Sequence, residues 1–147
     1  MYQRILVPTD GSTLSKKAVR GAIELAQSIG AELVVLNVVP RYPTSYFEGG
    51  VNVSPGEVAR TEKAWQDQGR VTAQSAADMA IAAGVKARAV IAKSDLVAEA
   101  ILAATRKHKC DLVVMASHGR KGIKRLLLGS ETQHVLTHGN VPVLVLR

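Results

Sequence analysis

Hydrophobic patterning assigns the chain to the α/β class: a single domain, residues 1–147, built on a doubly wound parallel sheet of five strands with four helices. The assignment rests on three features. Short apolar runs alternate with longer amphipathic segments in the order βαβαβαβαβ, which implies parallel strands, helices on both faces and right-handed crossovers. Two of the runs, Leu33–Leu36 and Leu112–Met115, are continuously apolar, as strands covered on both faces are. The chain of 147 residues has the length of one domain, and 47% hydrophobic against 21% charged residues is enough to build a core.

The first strand is the run ending at Ile5-Leu6-Val7, stopped by Pro8. Pro8-Thr9-Asp10-Gly11-Ser12 reads as a turn in which Ser12 caps a helix. That helix sets Leu14, Ala18, Ala22 and Ala26 on one face, flanked by Val19, Ile23 and Ile29, and Gly30 closes it. Glu32–Val39 is the second strand, followed by a long irregular loop, Pro40–Val53. Ser54-Pro55-Gly56-Glu57 is a capping box with proline at the first helical position. The helix it opens runs to about Ala83; Trp65, Ala73, Ala76, Ala77 and Ala80 suit packing on a sheet, and Gly69 weakens its middle.

Val85–Ile91 alternates apolar residues with Lys86 and Arg88, the pattern of an edge strand with one wet face. Ser94 or Asp95 is the expected cap of the next helix, which carries Val97, Ile101 and Ala104. It ends in Arg106-Lys107-His108-Lys109, a charge run that complements the negative helix end without any ligand. Asp111–Met115 is a central strand. The last helix follows Ser130, whose spacing to Gln133 forms a capping box, and it ends at Gly139-Asn140. Val141–Leu146 is the fifth strand, with Pro142 marking an edge.

Composition narrows the function. No apolar run is long enough to span a membrane, and the opening Met-Tyr-Gln-Arg with its short apolar strand does not have a leader's pattern. Cys110 is the sole cysteine, so no internal disulfide forms; with no leader pattern, this points to the cytoplasm. The net charge of +7 favours anionic partners. Nucleic acid is disfavoured among them: aromatics make up only 3% of residues, and none interleaves with the basic stretches.

The chemistry concentrates in Ala116–Ser130, which lies between the fourth strand and the last helix. It holds glycines that permit close backbone approach, the basic residues Arg120, Lys121, Lys124 and Arg125, no acid, and a helix start with free N–H groups. Together these point to bound phosphate. Neither a Walker A loop nor a Gly-x-Gly-x-x-Gly fingerprint is present.

The spacing Gly119-x9-Gly129-Ser130 resembles the nucleotide loop of the ATP-binding branch of the universal stress protein family, with Ala116 standing where that pattern has its first glycine. The resemblance extends to the opening Ile-Leu-Val-Pro-Thr-Asp-Gly-Ser and the closing Val-Pro-Val-Leu-Val-Leu. It implies a Rossmann-like sheet of order 3-2-1-4-5, whose winding reverses between strands one and four. Ligands of such sheets sit at that reversal. It further implies that Asp10 accepts from the ribose hydroxyls, the rival reading of Asp10 being an Asx-turn.

By the same resemblance, Pro8 and Thr9 shape the adenosine pocket, the Val38 backbone meets the adenine edge, and Met115 and Ala116 flank the sugar. Gly119, Gly129, Ser130 and Glu131 approach the phosphates through backbone N–H groups, with Arg120 as counter-charge. Glu131 then either turns its carboxylate outward or helps to hold Mg2+. The implied ligand is ATP with Mg2+. The implied partner is a second copy, paired antiparallel through Val141–Leu146 into a homodimer. The expected function is a cytoplasmic ATP-binding stress-response protein, at most a weak ATPase, with His118 and Glu131 the candidate bases. The alternatives are a nucleotide-free dimeric interaction protein and a slow ATP hydrolase.

Overall fold

The computed structural model describes residues 1–43, 54–118 and 128–147. Its elements are β1 (Arg4–Pro8), α1 (Thr13–Ile29), β2 (Glu32–Val39), α2 (Pro55–Ala82), β3 (Ala87–Lys93), α3 (Val97–Lys107), β4 (Leu112–Ala116), α4 (Ser130–His138) and β5 (Val143–Leu146). All five strands run parallel in the order β3-β2-β1-β4-β5. The predicted class, the predicted order and the two edge positions are therefore observed. The loop read as Pro40–Val53 falls largely outside the described residues, as do Gly119, Arg120, Lys121, Lys124 and Arg125.

The sheet divides the core into two layers. On one face α1 and α2 lay Val19, Ala22, Ala26, Ala73, Ala77 and Ala80 against Ile5, Val7, Leu33 and Val35. On the other, Ala98, Ile101 and Leu102 of α3 and Val135 of α4 cover Leu6, Leu36, Val113 and Met115. Residues of one strand alternate between the two clusters because successive side chains point to opposite faces. The central strands β1, β2 and β4 are apolar on both faces, which is why they read as unbroken runs.

Several boundaries differ from expectation, each for a local reason. Val85 is buried and its N–H closes the end of α2 onto Ala80, so β3 begins two residues late. Neither Ser94 nor Asp95 caps α3; its N-cap is Leu96, with no side-chain hydrogen bond. Ser94 Oγ instead accepts from the Leu96 N–H (3.0 Å), and Asp95 Oδ1 accepts from Arg41 N–H (2.9 Å). The α4 capping box does not form: Gly129 is the N-cap, Ser130 is the first helical residue, and the Gln133 N–H goes to the Gly129 carbonyl at 2.9 Å. Pro142 lends its carbonyl to the Val113 N–H before β5 proper starts. Gly139 ends α4 in extended backbone at φ −79° and not in a left-handed turn.

Asp111 joins the two segments at the foot of the sheet. Its carboxylate accepts from the backbone N–H groups of Gln3 (2.9 Å) and Arg4 (3.0 Å). Partial desolvation pushes its pKa up, but the Arg4 and Gln3 N–H groups outweigh this and hold it below the usual carboxylate value. A depressed folded pKa contributes stability above the unfolded value, about 3.9, and that stability is lost as pH falls through the folded pKa. Asp111→Asn is therefore expected to flatten the acid limb of a urea-midpoint profile below about pH 4. The residual slope should come from Glu32, which hydrogen bonds from Lys86 and Arg4 also hold below its usual value, and from Asp67, lowered chiefly by the hydrogen bond from Lys63. An unaltered acid limb would show that Asp111 carries none of this linkage. Neighbouring Cys110 is buried, and burial pushes its thiol up to about 11, so it packs as an inert residue.

Candidate functional site at the strand carboxyl ends

The two segments singled out by the sequence follow β1 and β4, the strands between which the winding reverses. β1 and β4 are ladder partners at Ile5↔Leu112 and Leu6↔Val113. On its other side β1 stays paired to β2 as far as Pro8↔Leu36. In sheets of this kind, crossovers to opposite faces leave a crevice above the two strands at the reversal, here β1 and β4.

The turn after β1 is tightly built. The Thr9 N–H donates to the Leu36 carbonyl (2.8 Å), and Asn37 Nδ2 donates to the Thr9 carbonyl (2.9 Å). Thr9 Oγ1 lies 3.0 Å from Ser15 Oγ and accepts from the Gly11 N–H at 3.2 Å. Gly11 sits at φ 79°, a conformation glycine adopts without strain. Ser12 caps α1 as expected, accepting from the Ser15 N–H. Asp10 Oδ1 accepts from the Ser12 N–H at 2.9 Å, so the Asx-turn is present. A cavity of about 290 Å³ lies beside this turn, lined by Thr9, Gly11, Lys16, Gln68, Thr72 and Met79. A larger groove of about 710 Å³ runs along the flank between α2 and β3, away from the crevice.

The turn between β4 and α4 is pinned on both sides. The Ser117 N–H donates to the Leu146 carbonyl (2.8 Å), and the Gly129 N–H to the Ser117 carbonyl (2.8 Å). Thr132 Oγ1 donates to the Ala116 carbonyl at 2.9 Å. Ser117 Oγ and His118 Nδ1 lie 3.0 Å apart. A Cβ on Gly129 would sit 2.9 Å from the Ser117 carbonyl oxygen, so glycine is required for the close approach. Ala116 ends β4 in register with Leu146. Lys109 is the one non-glycine residue with positive φ among the described residues, so Ala116 occupies ordinary backbone and needs no glycine for conformation.

Of the other predicted residues, Pro8 closes β1 opposite Leu36, and Val38 is half-buried opposite Ala92. Met115 is buried in the α3-side core, which leaves its backbone, not its side chain, toward the crevice. Ser130 is exposed at the start of α4. Glu131 turns its carboxylate away, to accept from the Ala98 N–H at 3.2 Å. Gly119 and Arg120 lie outside the described residues.

Apart from Thr9, sequence reasoning missed the polar residues that hold this architecture. Among the described residues the buried polar side chains are Thr9, Ser15, Asn37, Thr105, Ser117 and Thr132, and all but Thr105 brace the residues after β1 or β4. Asn37 had a signal: an amide within the apolar run Leu33–Val39 must find partners. Ser15 and Thr132 had none, since either suits a solvated helix face.

The whole chain, residues 1–147, matches the universal stress protein family. The chain belongs to that family. It is 31% identical over 149 residues to the universal stress protein YxiE of Bacillus subtilis, with 100% of each chain covered. The structure of universal stress protein UspA from Lactobacillus plantarum superposes with a TM-score of 0.82 over 99% of this chain and 98% of that one. At 22% identity, that likeness establishes the shared fold. A universal stress protein solved in complex with cAMP is 27% identical, with a TM-score of 0.66, covering 99% of this chain and 97% of that one.

Proposed function

We propose that this universal stress protein binds ATP, delivered as Mg-ATP, in the crevice between the β1 turn and the β4–α4 turn, and serves as a cytoplasmic regulatory protein of the stress response. The observation that supports the reading is the reversal of strand order between β1 and β4, since Pro8-Thr9-Asp10 follows β1 and the Gly129–Glu131 helix start follows β4 at the same carboxyl edge of the sheet. Backbone N–H groups at a helix start suit phosphate. The β1 turn and the end of β2 at Val38 suit the nucleoside, with Asp10 toward the ribose. Gly119 and Arg120 would complete the phosphate side. The cAMP complex of a relative supports an adenine nucleotide as the ligand class.

Mg2+ fits as a companion of the nucleotide. Among the described residues there is no cluster of three metal-ligating side chains. Mg2+ characteristically uses phosphate oxygens, water and one or two carboxylates. Two copies would pair through their β5 edges, where alternation along Val143–Leu146 exposes Leu144.

The test is to denature freshly purified protein and identify any released nucleotide by chromatography, then to titrate stripped protein with Mg-ATP in a calorimeter. Release of an adenine nucleotide and a saturable heat signal are expected. Silence in both would favour a nucleotide-free interaction protein. ATP turnover above background, lost in His118→Ala, would favour an enzyme.

A further inference from the structure

α3 begins without a cap of its own. Its N-cap is Leu96, whose side chain has no acceptor to offer, and Ser94 and Asp95 are committed to Leu96 and Arg41. The free N–H of Ala98, two residues into the helix, is the group a cap ordinarily serves. Its acceptor comes from another helix: Glu131 Oε2, at 3.2 Å. Glu131 is the second residue of α4. One carboxylate thus lies in the first turn of α4 and caps the first turn of α3, complementing the positive ends of both helices.

Two further contacts fix α4 in the same frame. Thr132 Oγ1 holds the Ala116 carbonyl (2.9 Å), and His134 Nε2 lies 2.7 Å from Glu99 Oε1 on α3. The N–H groups at the start of α4 are therefore aimed by β4 on one side and by α3 on the other.

We propose that Glu131 is a positioning residue for the phosphate side of the crevice: by capping α3 it sets the first turn of α4. This rests on the nucleotide reading above. The Glu131 carboxylate neither touches phosphate nor holds Mg2+; turned to α3, it keeps its negative charge off an incoming anion. By reciprocity, whatever binds at the start of α4 also steadies the first turn of α3, and loosening α3 weakens binding equally.

The experiment compares the parent with Glu131→Ala and Glu131→Gln, using calorimetry with Mg-ATP and amide hydrogen exchange at Ala98 and Glu99. Alanine removes the acceptor. Glutamine keeps an acceptor oxygen and removes the charge. Glu131→Ala is expected to weaken Mg-ATP about five- to tenfold, the scale of a lost cap, and to speed exchange at Ala98 by a similar factor. Glu131→Gln should recover most of both, and Mg-ATP should slow exchange at Ala98 in the parent.

Equal weakening by both variants, with Ala98 exchange unchanged, would assign Glu131 to charge or metal and overturn the proposal. So would parent-like affinity in Glu131→Ala. If the parent itself binds no nucleotide, the nucleotide reading fails and the positioning role falls with it. Faster Ala98 exchange in Glu131→Ala would still show the cap, which separates the two failures.

Discussion

Gly129→Val is expected to weaken Mg-ATP binding about tenfold or more, because moving the start of α4 takes its N–H groups off the phosphate. The reason is steric. Any Cβ at 129 meets the Ser117 carbonyl oxygen at 2.9 Å and the His118 Cα at 3.3 Å, both backbone atoms that cannot swing away. Relief requires parting residue 129 from Ser117, which breaks the 2.8 Å hydrogen bond that closes the turn and moves the start of α4. Valine adds a second branch to the same clash. Thermal unfolding followed by circular dichroism distinguishes local from global damage. A folded variant with weakened binding in the calorimeter is the expected result, and a folded variant that binds like the parent would remove this turn from the site.

The second large effect concerns stability. Gly69→Ala is expected to destabilise the protein by about 2 kcal/mol, although alanine is the better helix former by about 1 kcal/mol. The added methyl would lie 2.6 Å from Asn37 Oδ1 and 2.7 Å from Val39 Cγ2. Asn37 cannot simply turn aside, because its Nδ2 holds the Thr9 carbonyl at 2.9 Å and the residue is buried. Overpacking costs typically 1–3 kcal/mol, roughly twice the propensity gain or more, so the clash should win. The midpoint of urea unfolding measures it. A higher midpoint would mean that α2 shifts off β2 at little cost. Because Asn37 braces the β1 turn, a lower affinity for Mg-ATP should accompany the loss.

Gly69 also illustrates where the sequence stops being legible. Read locally, a glycine inside a helix is a weakness. Its use, letting α2 lie directly on Asn37 and Val39, depends on a strand some thirty positions earlier and has no local signature. The sheet was legible because each strand's burial is written in its own residues: continuous apolar runs for β1, β2 and β4, alternation for β3. The strand order itself came from the family resemblance and is the one observed.

Helix starts were read well where the cap is local, as at Ser12 and Ser54, whose hydroxyls accept from Ser15 and Glu57. They were read poorly where the partner is distant. Asp95 is drawn off by Arg41, Ser130 is displaced by one position because the close approach demands Gly129 as the cap, and the acceptor for α3 arrives from α4. Asp10 admitted two readings, and the Asx-turn is the one made by its own neighbours.

The hydrogen bond from Ser117 to the Leu146 carbonyl has a consequence for biosynthesis. The entrance to the β4–α4 connection is anchored by the outermost residue of β5, a strand that leaves the ribosome after β1 to β4. A nascent chain that has folded only β1 to β4 still lacks that anchor. The start of this connection should thus become fixed late, in one step, when β5 docks beside β4.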